Sequence, residues 1–262
     1  MDKSMKVEFL FDFGSPNSYL AEHAIPGMEW RNNVKFEYVP VLLGGIFEAT
    51  GNMSPLDALR GIKNKLEFVE LQTDRFVRRY GVVKFKRNPF FPVNTLMLMR
   101  GAVAAQFENV FEPYFRAAYH HMWENPKKMD DPEVFKTAFN SSGIDIDKLI
   151  ARTRQDDVKN KLIENTTDAV RRGAFGAPTF FVGKEMFFGK DQLRDVEASI
   201  VEQMAWSTHS GSRAGHLRVR RANWAAAHSL TVVRSRTPGE TLSKSEMRRS
   251  PSSVPVTPPA VR

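Results

Sequence analysis

The spacing of the predicted strands constrains the fold of this chain more than any other feature of its sequence. Four segments carry the apolar alternation or the short apolar run that is typical of strands, and they form two pairs near opposite ends of the first 203 residues. They cover residues 6–13, 34–41, 179–182 and 186–188. More than 100 residues of mainly helical pattern separate the two pairs, so each pair must meet the other across a long helical block.

Helix start and stop signals complete the order of elements. Ser15 followed by Pro16 is a strong helix start between the first two strands. The other predicted helices cover residues 54–79, 94–107, 111–123, 132–140, 156–172 and 190–203. The order β-α-β, helical block, β-β-α matches an α/β thioredoxin-like fold with a large inserted all-helical domain. We therefore predict a folded domain over residues 1–203, with the helical insertion at about residues 45–172.

Charge separates the end of the chain from the rest. The net charge is +8, but residues 204–262 carry ten basic and two acidic residues, so residues 1–203 are neutral. This basic tail contains no Phe and is dominated by Ser, Thr, Arg and Pro, a composition that predicts disorder. A solvated tail, a nucleic-acid-binding arm and a frame-shifted or read-through extension remain open interpretations. The neutral domain itself requires no nucleic acid.

The absence of cysteine excludes several kinds of site. With no Cys, the chain has no disulfide framework, no thiolate nucleophile of its own and no Cys-ligated metal. Adjacent His120 and His121 do not face one another on a helix, so we expect no metal site. No apolar run of 18 residues and no signal-peptide core occur, which predicts a cytoplasmic protein without a membrane span.

Ser15 occupies the position where chemistry is expected in a thioredoxin-like fold. Unpaired N–H groups and the helix dipole at a helix N-terminus stabilise an anion, and they lower the pKa of a thiol placed there. The Ser15 hydroxyl can donate to a thiolate but cannot form a disulfide, so the thiol must come from a small molecule, with glutathione the obvious candidate. Asp12 lies beside Ser15, where a structural role is the simplest interpretation.

A second signature precedes the third strand. Ala177-Pro178 stands where this fold usually has a cis proline. The residue before such a proline offers its backbone N–H and C=O to a peptide-like ligand, in the manner of an added strand.

Several motifs in order resemble one enzyme family. These are FDFGSPNSYLA, LGGIFEATGN, the Lys of NKLEFV, NPFFPVNTLMLMRGA, GAFGAPTFFV and FFGKDQL. Together they are similar to the 2-hydroxychromene-2-carboxylate isomerase family, which is related to kappa-class glutathione transferases and to DsbA-like thioredoxin folds. The resemblance covers about residues 6–203. It implies a glutathione-dependent cis–trans isomerase of small aromatic keto acids, working by thiolate addition, bond rotation and elimination.

The resemblance also implies roles for individual residues. Ser15 would contact the glutathione sulfur, and Ala177 and Pro178 would clamp its cysteinyl unit. The remaining glutathione contacts would be Asn52, Lys65 (with Lys63 as the rival), Lys190 and Asp191. Lys190 departs from the family, which has a small or amide residue there, and Asn17 replaces a frequent aromatic residue.

Simpler interpretations stand beside these roles. Ser15 can be only a helix cap, Asn52 only a turn residue, and Lys65 a lysine at the border of an apolar face. A kappa-type glutathione transferase and a non-catalytic thioredoxin-like binding module are the alternative functions. A homodimer is compatible with the sequence.

Overall fold

The computed structural model describes residues 5–210, and the basic tail from residue 211 onward lies outside the described residues. A single four-stranded sheet forms the centre of the described part. Its strands are β1 (Val7–Phe11), β2 (Phe36–Pro40), β3 (Thr179–Val182) and β4 (Glu185–Phe188). They lie in the order β2-β1-β3-β4. β1 is parallel to β2 and antiparallel to β3, and β4 is antiparallel to β3. The two predicted strand pairs thus form one mixed sheet, as expected for the thioredoxin-like fold.

β1 is the strand through which the two halves of the fold meet. Phe9 lies opposite Tyr38 of β2 and Phe180 of β3. Its ring centroid is 5.2 Å from that of Phe180. All five β1 residues are buried because the strand has neighbours on both edges and helices on both faces. Its nearly continuous apolar sequence reflects that position.

Helices make up most of the rest of the described chain. They are α1 (Pro16–Glu22), α2 (Ile25–Asn32), α3 (Leu43–Thr50), α4 (Pro55–Ala58), α5 (Lys65–Tyr80), α6 (Leu96–Phe107), α7 (Phe111–Tyr119), α8 (Pro132–Ala138), α9 (Ile146–Arg152), α10 (Asp156–Arg171) and α11 (Leu193–Ser210). A π-helical turn, His120–Glu124, extends α7, and a 3-10 turn, Lys190–Gln192, precedes α11. No helix among residues 5–210 is long and apolar enough to cross a membrane.

The two faces of the sheet bury different helices. Phe9 and Phe11 belong to a large core shared with α1, α2, α6, α7 and α11. Leu10 and Phe181, on the other face, belong to a smaller core shared with α3 and α10. Alternate residues of β1 therefore supply both cores.

The helix pattern between β2 and β3 was predicted only in outline. The predicted helix over residues 54–79 is wrong as one element, because α4 ends at Ala58 and α5 begins at Lys65. Gly61 and Asn64, with φ of 85° and 67°, turn the chain between them in a conformation that a helix cannot contain. The helices α3 and α9 were not predicted.

The ends of several elements also differ from the prediction. The first strand stops at Phe11 instead of residue 13, because the Asp12 carbonyl turns to accept the Ser15 N–H at 3.0 Å. The last helix begins as a 3-10 turn and then continues to Ser210, so the boundary predicted after Gln203 falls inside α11. The predicted disorder of residues 211–262 lies outside the described residues.

Candidate functional site

Ser15 joins the two halves of the fold at the first turn of α1. Its Oγ accepts the Ser18 N–H at 3.1 Å, which is the expected cap of the helix. The same hydroxyl donates to the Ala177 carbonyl at 2.9 Å. The side chain is buried, yet it stands at a helix N-terminus, where backbone N–H groups favour an anion. Ser15 is therefore a cap and also a contact to the segment before β3.

The Ala177–Pro178 peptide bond is cis, as the sequence led us to expect. Pro178 leads directly into β3, and its carbonyl accepts the Gly189 N–H at 2.9 Å. The Ala177 carbonyl, just before the start of β3, faces the Ser15 hydroxyl. A peptide-like ligand bound along this segment would lie beside the Ser15 hydroxyl.

Asn52 approaches the same segment from α3. Gly51 ends that helix with φ of 66°, and Asn52 follows in the turn. The Asn52 side-chain amide donates to the Phe175 carbonyl at 2.8 Å, and its Oδ1 accepts the Met53 N–H at 2.8 Å. Asn52 and Ser15 therefore both contact the segment 175–178, at Phe175 and Ala177 respectively.

Among residues 5–210, no hydrogen bond or ion pair joins Lys65 to Ser15, Asn52 or residues 175–178. Lys65 is the first residue of α5 and is exposed, as is its rival Lys63. The Lys65 backbone N–H donates to the Ile62 carbonyl at 3.2 Å, but in the described part of the chain neither lysine ammonium has a hydrogen bond or ion pair. The sequence placed Lys65 inside a longer helix at the border of an apolar face, whereas the structure places it at a helix start in solvent.

Lys190 and Asp191 pair with each other. The Lys190 ammonium lies 2.8 Å and 2.9 Å from the two carboxylate oxygens of Asp191. Lys190 is only 5% exposed, and its Nζ is 5.2 Å from the ring centroid of Phe76 on α5. The Asp191 side chain is 70% exposed. The pair stands in the 3-10 turn before α11 with its carboxylate toward solvent and already neutralised.

Asp12 is a residue whose importance the sequence reasoning understated. Its Oδ1 accepts the Gly14 N–H at 2.8 Å, and its Oδ2 accepts the Leu43 N–H at 2.8 Å and the Thr95 hydroxyl at 3.1 Å. Complete burial raises the pKa of Asp12 above its usual 3.8, although these three hydrogen bonds oppose the rise. One carboxylate thus ties the Ser15 loop to the starts of α3 and α6.

The π-helical turn supports the same loop from the other side. The Trp123 indole N–H donates to the Phe13 carbonyl at 2.8 Å. Gly14 lies so close to α6 that a Cβ there would be 2.9 Å from Thr95 Cγ2. Thr95 is the last residue of the NPFFPVNT motif. That motif was the one sequence signal for the contact between Thr95 and the Ser15 loop, which was not predicted.

Two phenylalanines flank the segment that carries Ala177. The rings of Phe175 and Phe188 are 4.4 Å apart, and both are partly exposed. Gly176 lies between Phe175 and Ala177 and has little room for a side chain, because an added Cβ would lie 2.9 Å from the Phe188 ring. Sequence reasoning did not identify this aromatic pair.

The arrangement suits a bound thiol better than a metal or a protein nucleophile. Ser15 supplies a hydroxyl beside a helix N-terminus, and residues 175–178 supply backbone groups for an extended ligand. In residues 5–210 we find no cluster of three His, Asp or Glu side chains that could hold a metal ion. With no Cys in the chain, the site can stabilise a thiolate only if a small molecule brings it.

Known proteins with this architecture include isomerases, transferases and oxidoreductases. A 2-hydroxychromene-2-carboxylate isomerase of Sphingobium xenophagum is 28% identical over 198 residues, 75% of this chain and 98% of that protein. Glutathione S-transferase kappa 1 of Rattus norvegicus is 26% identical over 196 residues, 71% of this chain and 87% of that protein. A solved 2-hydroxychromene-2-carboxylate isomerase superposes with a TM-score of 0.64 at 25% identity, covering 79% of this chain and all of that one. The DsbA-like thioredoxin domain matches residues 6–201. The chain therefore belongs to the family of DsbA-like thioredoxin domains.

Proposed function

We propose that the protein is a glutathione-dependent cis–trans isomerase of aromatic keto acids, of the 2-hydroxychromene-2-carboxylate type. The observation that carries this proposal is the contact of Ser15 with Ala177 at the start of α1 in a chain without cysteine. Relatives that bear the isomerase name align over three quarters of this chain. Relatives that bear a glutathione transferase name align over a similar span and support glutathione as the thiol.

Glutathione would bind across both halves of the fold. Its sulfur would lie at the Ser15 hydroxyl, and its cysteinyl backbone would pair with Ala177 beside Pro178. Asn52 would hold this segment in place through Phe175. Lys65 heads α5, so its ammonium adds to the positive end of the helix dipole and suits a carboxylate of glutathione. Asp191 would receive the γ-glutamyl ammonium, in competition with Lys190.

The chemistry balances without any change in glutathione. The thiolate forms a C–S bond to the conjugated alkene carbon, and the alkene electrons move to the carbonyl oxygen as an enolate. The former double bond is now single and rotates. The enolate then reforms the double bond, the C–S bond breaks, and the thiolate returns. The first requirement is a thiol with a lowered pKa. The helix N-terminus would supply this, and the Ser15 hydroxyl would add to it once the cysteinyl N–H of glutathione replaces it at the Ala177 carbonyl.

The experiment that tests the proposal is turnover of 2-hydroxychromene-2-carboxylate by Ser15→Ala. The variant loses a helix cap, which costs about 1 kcal/mol of stability. We expect its turnover to fall about 100-fold, because stabilisation of a developing anion by one donor is worth that much. Asp145→Ala is the matched control, since Asp145 caps α9 through the Lys148 N–H at 3.0 Å, on a helix that supplies no residue of this site. Equal turnover in the two variants would reduce Ser15 to a cap.

A kappa-type glutathione transferase is the second candidate, because kappa-class relatives match the same region. The two activities differ in the fate of glutathione. An isomerase returns each molecule, so total free thiol stays constant during turnover. A conjugate that accumulates in proportion to product would replace the isomerase by the transferase. If glutathione neither binds by calorimetry nor raises the melting temperature, the protein is a binding module of this fold.

A further inference from the structure

A groove between α3, α6 and α10 has a chemical character unlike that of the site around Ser15. Its volume is about 520 Å³, enough for a small bicyclic molecule. The walls are mainly apolar. They are formed by Leu42 at the N-cap of α3, Ala49 within α3, Leu96 from α6, and Leu162 and Ile163 from α10. Ile163 is 61% exposed, so an apolar side chain of α10 is left open to solvent at the groove.

Positive charge surrounds this apolar surface. Arg100, Lys159 and Arg171 line the groove, and no acidic residue does. Lys159 and Arg171 each pair with an acid one helical turn away on α10, Asp156 and Asp168. Arg100 is half-buried, and among the described residues no hydrogen bond or ion pair engages its guanidinium. An unpaired guanidinium beside apolar walls is suited to a carboxylate attached to a ring.

The inner end of the groove adjoins the Ser15 loop. Leu42 and Leu96 are the chain neighbours of Leu43 and Thr95, and these two residues are the partners of the Asp12 carboxylate. Gly14, the residue before Ser15, is bonded to the same carboxylate. β1 and β2 are parallel, so the turns that follow them lie at one edge of the sheet. A ligand in the groove would therefore approach the sulfur site from the side of α3 and α6.

We propose that this groove binds a small aromatic carboxylate, with the ring against Leu42, Leu96 and Leu162 and the carboxylate on Arg100. This inference rests on the proposed function, for which it supplies the binding place of the substrate. Charge complementarity decides the class of ligand, because no acidic residue lines the groove and, among the described residues, Arg100 is its one lining cation without an acidic partner. A neutral aromatic molecule would gain only the apolar contacts and would leave Arg100 unpaired.

Titration of the full chain with 2-naphthoate in the absence of glutathione tests the groove separately from the thiol site. 2-Naphthoate is a flat bicyclic carboxylate that does not react with thiols. We expect saturable binding, and an affinity about tenfold lower in Arg100→Gln, since a charge-assisted hydrogen bond is lost. Arg154→Gln, which removes an exposed cation outside the groove, should leave the affinity unchanged. Neutral 2-naphthalenemethanol should bind more weakly and be insensitive to Arg100→Gln.

A second pair of variants keeps the test decisive if Arg100→Gln folds poorly. Ile163→Glu and Ile163→Gln place side chains of equal size at an exposed position, and only the first adds an anion. Binding of 2-naphthoate should be lost in Ile163→Glu and kept in Ile163→Gln. Equal affinity in both, or no saturable binding to the unchanged protein, would overturn the proposal. So would a dimer in light scattering that Ile163→Glu dissociates, because the groove would then be an interface between two copies.

Glutathione calorimetry separates this proposal from the proposed function. If glutathione binds normally and 2-naphthoate does not, the groove is wrong and the thiol site stands. If 2-naphthoate binds through Arg100 and glutathione does not bind, the groove stands as a ligand site and the isomerase is wrong.

Discussion

Two buried acids on one stretch of chain are held in opposite ways. Glu8 lies within β1, and its carboxylate is paired with Arg172 at 2.6 Å and with Lys6 at 2.9 Å. Asp12 follows the end of the same strand and is bonded only to neutral donors. Burial raises the pKa of Glu8, but the bonds from Arg172 and Lys6 outweigh it and bring the pKa below the usual 4.5. For Asp12, burial dominates and the pKa is raised.

The two acids therefore have different roles: Glu8 joins two elements through an ion pair, and Asp12 positions backbone segments through hydrogen bonds. The Glu8–Arg172 pair attaches β1 to the end of α10, and the Arg172 guanidinium also lies 3.5 Å from the centroid of the Phe181 ring. An ion pair of this kind can be exchanged for apolar packing. Asp12 instead satisfies backbone and hydroxyl groups of three separate segments, and no apolar residue can do that. The acid near Ser15 is therefore the less replaceable of the two.

The largest effect should come from Asp12→Ala. The variant leaves the partly buried Gly14 and Leu43 N–H groups without their acceptor, and each such group costs about 1–3 kcal/mol. We expect a loss of about 4 kcal/mol in the free energy of unfolding, measured by urea denaturation. Adding Thr95→Val should recover little, because the two N–H groups stay unpaired. A full recovery in this double variant would make Asp12 as replaceable as Glu8.

A smaller loss, about 2 kcal/mol, is expected for Arg172→Met. It leaves Glu8 buried with Lys6 alone, and the partial exposure of the Arg172 side chain limits the penalty. Here the double variant Glu8→Leu/Arg172→Met should recover most of the stability, because it removes both charges. Lys6→Met alone should cost below about 1 kcal/mol, since Lys6 is mostly exposed. If the double variant is no more stable than Arg172→Met, apolar packing cannot replace the Glu8–Arg172 pair, and the proposed difference between Glu8 and Asp12 is wrong.

The pH dependence of stability should have opposite signs at the two acids. The raised pKa of Asp12 means that its stabilising contribution is full below its ordinary 3.8 and is lost as the pH rises through the higher folded value. The lowered pKa of Glu8 means that its contribution is full above 4.5 and is lost as the pH falls through the lower folded value. Relative to the unchanged protein, Asp12→Asn should therefore lose more stability at acid than at neutral pH, and Glu8→Gln the reverse. Denaturation at pH 3.5 and pH 7 with both variants measures the two signs, and equal signs would contradict the assignment.

The smallest effect concerns a third acid, the exposed Asp191. Lys190→Met keeps an unbranched side chain of similar length and removes the ammonium that lies over Phe76 and neutralises the Asp191 carboxylate. If the γ-glutamyl ammonium of glutathione binds Asp191, its affinity should rise several-fold, by about 1 kcal/mol, because Lys190 no longer competes. Calorimetry with glutathione measures it, and Arg194→Met on the next turn is the control for loss of one charge. A fall in affinity would assign Lys190 itself to a carboxylate of the ligand.

The sequence predicted those features that depend on local pattern and on the order of elements along the chain. Alternation located β1, and the order of elements predicted that β1 and β3 share one sheet. Ser15 was expected at a helix start because Ser before Pro is a local signal. The partners of Asp12 were not predictable in the same way, since Leu43 and Thr95 are 31 and 83 residues away, and local sequence pattern does not show which helix starts meet in space.

Other features depend on side-chain direction, which sequence spacing does not encode. Lys190 and Asp191 are adjacent, and spacing alone could not show that they pair with each other rather than with a ligand. The break between α4 and α5 depends on Gly61 and Asn64 adopting positive φ together, although each is tolerated singly in a helix pattern. Because of this break, Lys65 is the first residue of α5 and not an interior residue of one long helix, as predicted.

The hydrogen bond from Ser15 to Ala177 has a consequence for the order in which the protein is made. Its two residues are 162 positions apart, so the ribosome delivers the hydroxyl long before the carbonyl. The nascent chain carries β1 with one edge open until β3 emerges, and closing so long a loop is slow. The contact between Ser15 and Ala177 is thus completed late in synthesis, and the open edge of β1 is exposed to aggregation during that interval.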